Sequence, residues 1–456
     1  MRLTQGRLTV VKYTFILVVN TFMRLTRRSP RAFRHGSGSW HYQGRNKAIP
    51  EFFPSMRHAA AVLLLVFSAT PAFAEAVTYK GTLGTIPIIV ELADPASDAE
   101  LGFGRYAYMK KGIDIPLDPL DAEPGTLAFT EQRPCTDETC AMADDNIRVT
   151  NPPVGATWEL TPNGEDLIGT WADGDKVLPI KLTRIGSRAI DEDTVHTAGD
   201  LADVNVGFLF DDGRLTSETD PYDWEKMQVD QKVSDETDWG GMRFQYLTDP
   251  RVGLSYPRVV AAGDTSIENA NAYLEARQNA MNADALNCRS KVYAGMGWMG
   301  DAFGGTLGGW DEETVTVTYL SPQVLAWTEA GSIWCGGAYP ANHVDDYSID
   351  LATGESLDLA RIFRDWNGAP SKELADFIRA NRAREDANWE AECGIDDLIG
   401  DYGSVRFEQD GRVTFTLAGL PHAIMACGMD LYSAPLLDLV PFLANSAENY
   451  FPALAD

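Results

Sequence analysis

Residues 56–74 constrain this chain more than any other stretch. Met56-Arg57-His58 leads into an apolar run at 59–67, and Ser68-Ala69-Thr70-Pro71-Ala72-Phe73-Ala74 follows. A basic start, a short apolar segment and an Ala-x-Ala ending form the pattern of a secretory signal peptide cleaved after Ala74. A membrane-spanning helix needs about 20 apolar residues, roughly twice this run. The expected product is therefore periplasmic or secreted, with no integral membrane anchor after processing. Met56 reads as the true start, with residues 1–55 either untranslated or an uncleaved cytoplasmic extension. No cysteine stands at the cleavage point to carry a lipid.

Processing also changes the charge. Residues 1–74 hold 11 Lys and Arg against Glu51 alone, so removing that net +10 from the whole-chain −28 leaves −38 on residues 75–456. Nucleic-acid affinity rests on Lys and Arg displacing counterions from phosphates, so nucleic acid is excluded as a partner. The acidity reads as solubility, or as a surface that steers a cationic protein.

Taking 74 residues from 456 leaves 382, two or three domains at about 150 residues each. All six cysteines, Cys135, Cys140, Cys288, Cys335, Cys393 and Cys427, follow the cleavage point. An even number in an oxidising compartment reads as three disulfides. Proximity pairs Cys135 with Cys140, Cys288 with Cys335 and Cys393 with Cys427, each long closure being worth about 2–4 kcal/mol. No pair has the Cys-x-x-Cys spacing that zinc favours, so no metal is assigned.

Residues 75–185 read as a small antiparallel β domain, a sheet or barrel. Strand-like runs at 77–84, 86–92, 104–108, 126–130, 157–160, 167–171 and 178–182 alternate and carry β-branched or aromatic residues. Turns such as Pro162-Asn163-Gly164 separate them. Tyr106, Tyr108, Trp158 and Trp171 read as core packing or as a sugar-stacking face. Residues 186–265, rich in Asp, Gly and Thr, read as a partly ordered connection.

Residues 266–456 read as an α+β domain with helices packed on an antiparallel sheet. A helix at 266–287 places Ile267, Ala270, Leu274, Met281 and Ala285 on one core-facing stripe. Strands are expected at 313–320, 324–329 and 347–351, and helices at 357–364 and 371–392. Asp410-Gly411 between two alternating runs marks a hairpin.

Three consecutive pieces carry a family resemblance: Ser332-Ile333-Trp334-Cys335-Gly336-Gly337-Ala338-Tyr339-Pro340, then Tyr347-Ser348-Ile349-Asp350-Leu351-Ala352-Thr353-Gly354-Glu355, then Ser356-Leu357-Asp358-Leu359-Ala360-Arg361-Ile362-Phe363. Together with the tail from Leu420-Pro421-His422-Ala423 to Leu439, the succession resembles the RsiV-like extracytoplasmic domain over residues 266–446. The resemblance implies an envelope domain that binds lysozyme in certain anti-sigma factors and accompanies a peptidoglycan deacetylase domain in others. It draws attention to Gly336, Gly337, Tyr339 and His343 as binding residues. Tyr339 stands where a His commonly follows Gly-Gly-Ala, and neither a membrane-anchor run nor a sigma-binding segment is seen, so sigma-factor signalling is not expected.

Motifs for catalysis are missing: no Gly-x-Ser-x-Gly elbow, no His-Glu-x-x-His, no Walker loop. Gly295-Met296-Gly297-Trp298-Met299-Gly300 matches the dinucleotide-binding string, but glycines at 304, 305, 308 and 309 break any helix after it, and no cofactor is assigned. His343, beside Asp345 and Asp346, is a metal or base candidate or an exposed loop histidine; His422 reads as a core residue of an apolar strand. The carboxylate pairs Glu312-Glu313 and Asp396-Asp397 read as solvated surface. The expected role is non-catalytic binding of cell-wall glycan or a lysozyme-like wall hydrolase, against two alternatives: a hydrolase of envelope polymers using unidentified acidic residues, and a structural envelope protein.

Overall fold

A computed structural model describes residues 75–94, 102–134, 153–190, 197–202, 214–294, 313–333 and 341–451, with 139, 195 and 454. The expected signal peptide, Cys135, Cys140, Cys335, Gly336, Gly337, Tyr339 and His196 lie outside the described residues.

Eight strands, β1 (Glu75–Leu83), β2 (Ile86–Asp94), β3 (Gly104–Tyr108), β4 (Asp114–Leu120), β5 (Leu127–Gln132), β6 (Val154–Asn163), β7 (Asp166–Asp173) and β8 (Lys176–Ala189), close in sequence order into an antiparallel barrel. The expected small β domain is thus a full barrel, which removes the unpaired edges an open sheet would expose. β4 was not anticipated, because Pro116 and Pro119 disguise it. Alternation decides the filling: in β6, Ala156, Trp158 and Leu160 are buried while their neighbours face outward.

The aromatic face read as a sugar platform points mainly inward, with Tyr106 and Trp158 fully buried and Trp171 only 7% exposed. Tyr106 Oη, Trp171 Nε1 and Trp158 Nε1 all donate to Glu131 Oε2, at 2.7, 2.9 and 3.3 Å. Large aromatics bury well when their polar tips find an acceptor, and one carboxylate serves three.

The expected connection is in large part folded. Helix α1 (Pro221–Met227) precedes a four-stranded sheet of β9 (Lys232–Val233), β10 (Thr237–Trp239), β11 (Met242–Thr248) and β12 (Ser255–Ala261). Helix α2 (Glu268–Tyr293) follows. It buries Ala270, Leu274, Met281 and Ala285 as expected, yet Arg277, Gln278, Asn279, Asn282 and Asn287 are buried too. A single stripe against one core was the expectation; α2 is instead packed round its circumference, and two of its polar residues bond to neighbouring elements. Arg277 donates to Glu329 at 2.8 Å, and Gln278 to the Leu247 carbonyl at 2.9 Å.

The barrel docks on α1 and α2 through buried charge. Arg105 on β3 donates to Glu91, Asp114 and Asp223 at 2.7, 2.9 and 3.0 Å. Lys226 Nζ on α1 lies 3.0 Å from Asp114 Oδ1 and 2.8 Å from Asp223 Oδ1, and Tyr222 Oη donates to Asp114. Arg188 of β8 pairs with Glu91 at 2.7 Å. Three cations thus meet Glu91, Asp114 and Asp223, the balance that buried charge requires.

The remaining chain builds the sheet β13 (Thr314–Leu320), β14 (Val324–Ile333), β15 (Ala341–Asp350) and β16 (Glu355–Ser356), and a second sheet of β17 (Gly403–Phe407), β18 (Arg412–Leu417) and β19 (Met429–Pro435). β14 serves two cores by its period of two. Leu325 and Trp327 join the cluster around α2, while Val324 and Ala326 join one formed with the C-terminal elements. The expected helix at 371–392 divides into α3 (Lys372–Asn381) and α4 (Ala387–Cys393), followed by α5 (Ile395–Tyr402). Ser371 caps α3 and Asp386 caps α4 afresh; Arg382 between them reaches Glu390 and Asp396 at 2.9 Å each. Gly411, at φ +82°, turns the expected hairpin. Cys393 is bonded to Cys427, with Cα atoms 5.6 Å apart. Cys288 is disulfide-bonded to a partner outside the described residues.

Candidate functional site

β14 and β15 pair from Val324 opposite Asp350 to Ile333 opposite Ala341. Beside that end lies a cleft of about 620 Å³. Ala330 and Gly331 of β14, Asn342, His343 and Val344 of β15, Thr416 and Leu417 of β18, and Met425, Met429 and Asp430 line it together with Arg406. Met425 belongs to the 3-10 turn His422–Cys427, which replaces the strand expected around His422.

His343 is the sequence-selected residue that reaches this cleft, and it is no exposed loop histidine. It sits on β15 at 3% exposure. Its Nδ1 is 2.8 Å from Asp345 Oδ2 and its Nε2 is 2.9 Å from Glu313 Oε2. Asp346, the other neighbour named from sequence, takes hydrogen bonds from Thr328 at 2.6 Å and Thr416 at 2.8 Å instead. Successive strand residues face opposite ways, and that separates the two aspartates.

Glu313 corrects the surface reading of its carboxylate, since its side chain is fully buried. A signal existed: Glu313 shares the parity of Val315 and Val317, both buried. It reaches His343 across Gly331, which lies opposite His343 in the β14–β15 register. A Cβ on Gly331 would stand 2.0 Å from Glu313 Oε2, so only glycine leaves the carboxylate room. Asp396, by contrast, keeps a half-exposed side chain.

Burial alone would lower the His343 pKa, but its hydrogen bonds to Asp345 and Glu313 outweigh that and push it up to about 10. Burial raises the Glu313 pKa, partly countered by His343. Glu313 Oε1 is buried without a hydrogen-bond partner. The ring is therefore an imidazolium clamped between two carboxylates. Both ring nitrogens are engaged, so neither has a lone pair free to take a proton or ligate a metal, and the arrangement ties β15 to Glu313 at the start of β13.

Around this anchor the cleft is chiefly apolar, with two flexible thioethers that adapt to an inserted group. Arg406 at its edge is neutralised by Asp430, at 2.5 Å, and Glu408, at 3.6 Å. The Asp430 side chain remains 61% exposed, open to a cation from outside. No protein-family model matches this chain, and no curated protein matches it significantly.

Proposed function

We propose that the chain is an exported, non-catalytic binding module of the cell envelope, whose cleft between β15, β18 and β19 receives a side chain of a cationic wall-degrading enzyme of the lysozyme type. The observation that carries this reading is the adaptable, Met-lined cleft with an exposed carboxylate at its rim, on a chain bearing −38 after processing. Apolar anchors in pockets dominate protein–protein affinity, while rim charges steer the encounter. The engaged nitrogens of His343 weigh against the hydrolase alternative at this site. A second reading, a cell-wall glycan in the same cleft, draws on the polar groups of Asn342 and Asp430.

Calorimetric titration of oxidised residues 75–456 with lysozyme, and separately with soluble wall fragments, tests both. Saturable lysozyme binding that weakens with salt and falls about tenfold in Asp430→Lys is expected, a change of ~1.4 kcal/mol. Binding to fragments alone selects the glycan, and silence toward both refutes the binding role.

A further inference from the structure

We propose that Lys226 and Asn287 join through a self-formed isopeptide bond. Their side chains meet where the barrel docks on α1 and α2, with Lys226 Nζ donating to Asn287 Oδ1 at 2.9 Å. Lys226 is 0% and Asn287 2% exposed. Asp114 and Asp223 flank the same nitrogen at 3.0 and 2.8 Å, and the Tyr222 ring packs 5.1 Å away. Because the amide oxygen must face the ammonium, Asn287 Nδ2 is turned into the interior, where it is buried with no hydrogen-bond partner. A buried asparagine recruited only for stability ordinarily satisfies both ends of its amide. Asn279 and Asn282 on the same helix also leave amide atoms unpartnered; what sets Asn287 apart is that its carbonyl meets an amine.

The chemistry balances within the chain. Asp223 takes one proton from the Lys226 ammonium, and the freed amine forms a bond to Asn287 Cγ. The Cγ–Nδ2 bond breaks, and Nδ2 departs as ammonia with the second proton shed by Nζ. One proton stays on Asp223, one ammonia leaves, and no oxidant or cofactor is consumed. Charge balances too: before reaction Arg105, Arg188 and Lys226 face Glu91, Asp114 and Asp223, and afterwards two guanidiniums face two carboxylates beside a neutral Asp223. Burial opposes ionisation of Asp223, and it is the Arg105 and Lys226 charges that hold its carboxyl well below the usual range. Converting Lys226 to an amide removes one of those charges, so the retained proton is stabilised where it lands. Fixed contact inside a packed core supplies the proximity that makes amide exchange feasible without a separate enzyme.

The product ties α1 to α2 across 61 residues and fastens the barrel-docked helix to the central one. Intact mass spectrometry of the folded full-length protein, after export and disulfide formation, tests the proposal. The expected mass falls short of the disulfide-bonded sequence mass by one ammonia, and a tryptic digest yields a branched peptide linking Lys226 to Asn287, uncut after Lys226. Lys226→Met restores the ammonia. A full-mass wild-type protein overturns the proposal, as does ammonia loss confined to the Asn287 peptide, which marks succinimide formation. The decisive reading is made on wild-type protein, so a variant that fails to fold does not obscure it.

Discussion

Raising the pH should loosen the β14–β15 root before it disturbs the rest of the fold, and His343→Gln should abolish that sensitivity. The folded His343 pKa of about 10 lies above its ordinary 6.5. A raised folded pKa contributes stability that is complete below the unfolded value and lost as pH climbs through the folded one. The window therefore runs from pH 6.5 to pH 10. At 1.36 kcal/mol per unit, the difference amounts to about 5 kcal/mol at most, an upper figure because desolvating the ion triad returns part of it. Glu313, also raised, acts with the same sign at lower pH: its contribution is complete below the ordinary carboxylate value and fades as pH rises through its folded value. Urea unfolding followed by circular dichroism at steps across the window gives the midpoint and slope for each protein. Wild type should lose several kcal/mol toward pH 10 while His343→Gln starts lower and stays nearly flat. Parallel decline in the two proteins would refute the imidazolium clamp.

Gly331→Ala should shallow the pH slope without replacing a titrating group, because its methyl would displace Glu313 from His343 while the Asp345 hydrogen bond remains; an unchanged pH slope in the same assay would show that the carboxylate has another route. Glu131→Leu orphans the buried polar tips of Tyr106, Trp158 and Trp171 and should cost at least ~3 kcal/mol in urea unfolding, at about 1–3 kcal/mol per stranded donor. Replacing Cys393 and Cys427 with Ser opens a closure of 34 residues and should cost about 4 kcal/mol by the loop-entropy relation, readable as a lowered urea midpoint of the oxidised protein.

What the sequence alone determined was whatever a local period or a short signal encodes. The alternation of 157–160, the Asp410-Gly411 turn, the helix after 266 and the antiparallel, mixed α+β character follow from side chains recurring every two or about 3.6 residues. Closeness in sequence likewise selected the Cys393–Cys427 pair. Pro116 and Pro119 hid β4, one of the eight barrel strands, and the polar composition of 214–261 concealed a helix and most of a sheet, because composition reports solubility and not pairing. The site was only half legible. His343 was visible as a residue type, but its partners come from other positions in the sheet: Asp345 two residues along, and Glu313 across a glycine on the intervening strand. The charges that dock the barrel are more distant still, with Arg105 and Asp223 separated by 118 residues. Only tertiary structure can bring such groups together, because burial removes water from a charge and compels it to find a partner wherever the fold supplies one.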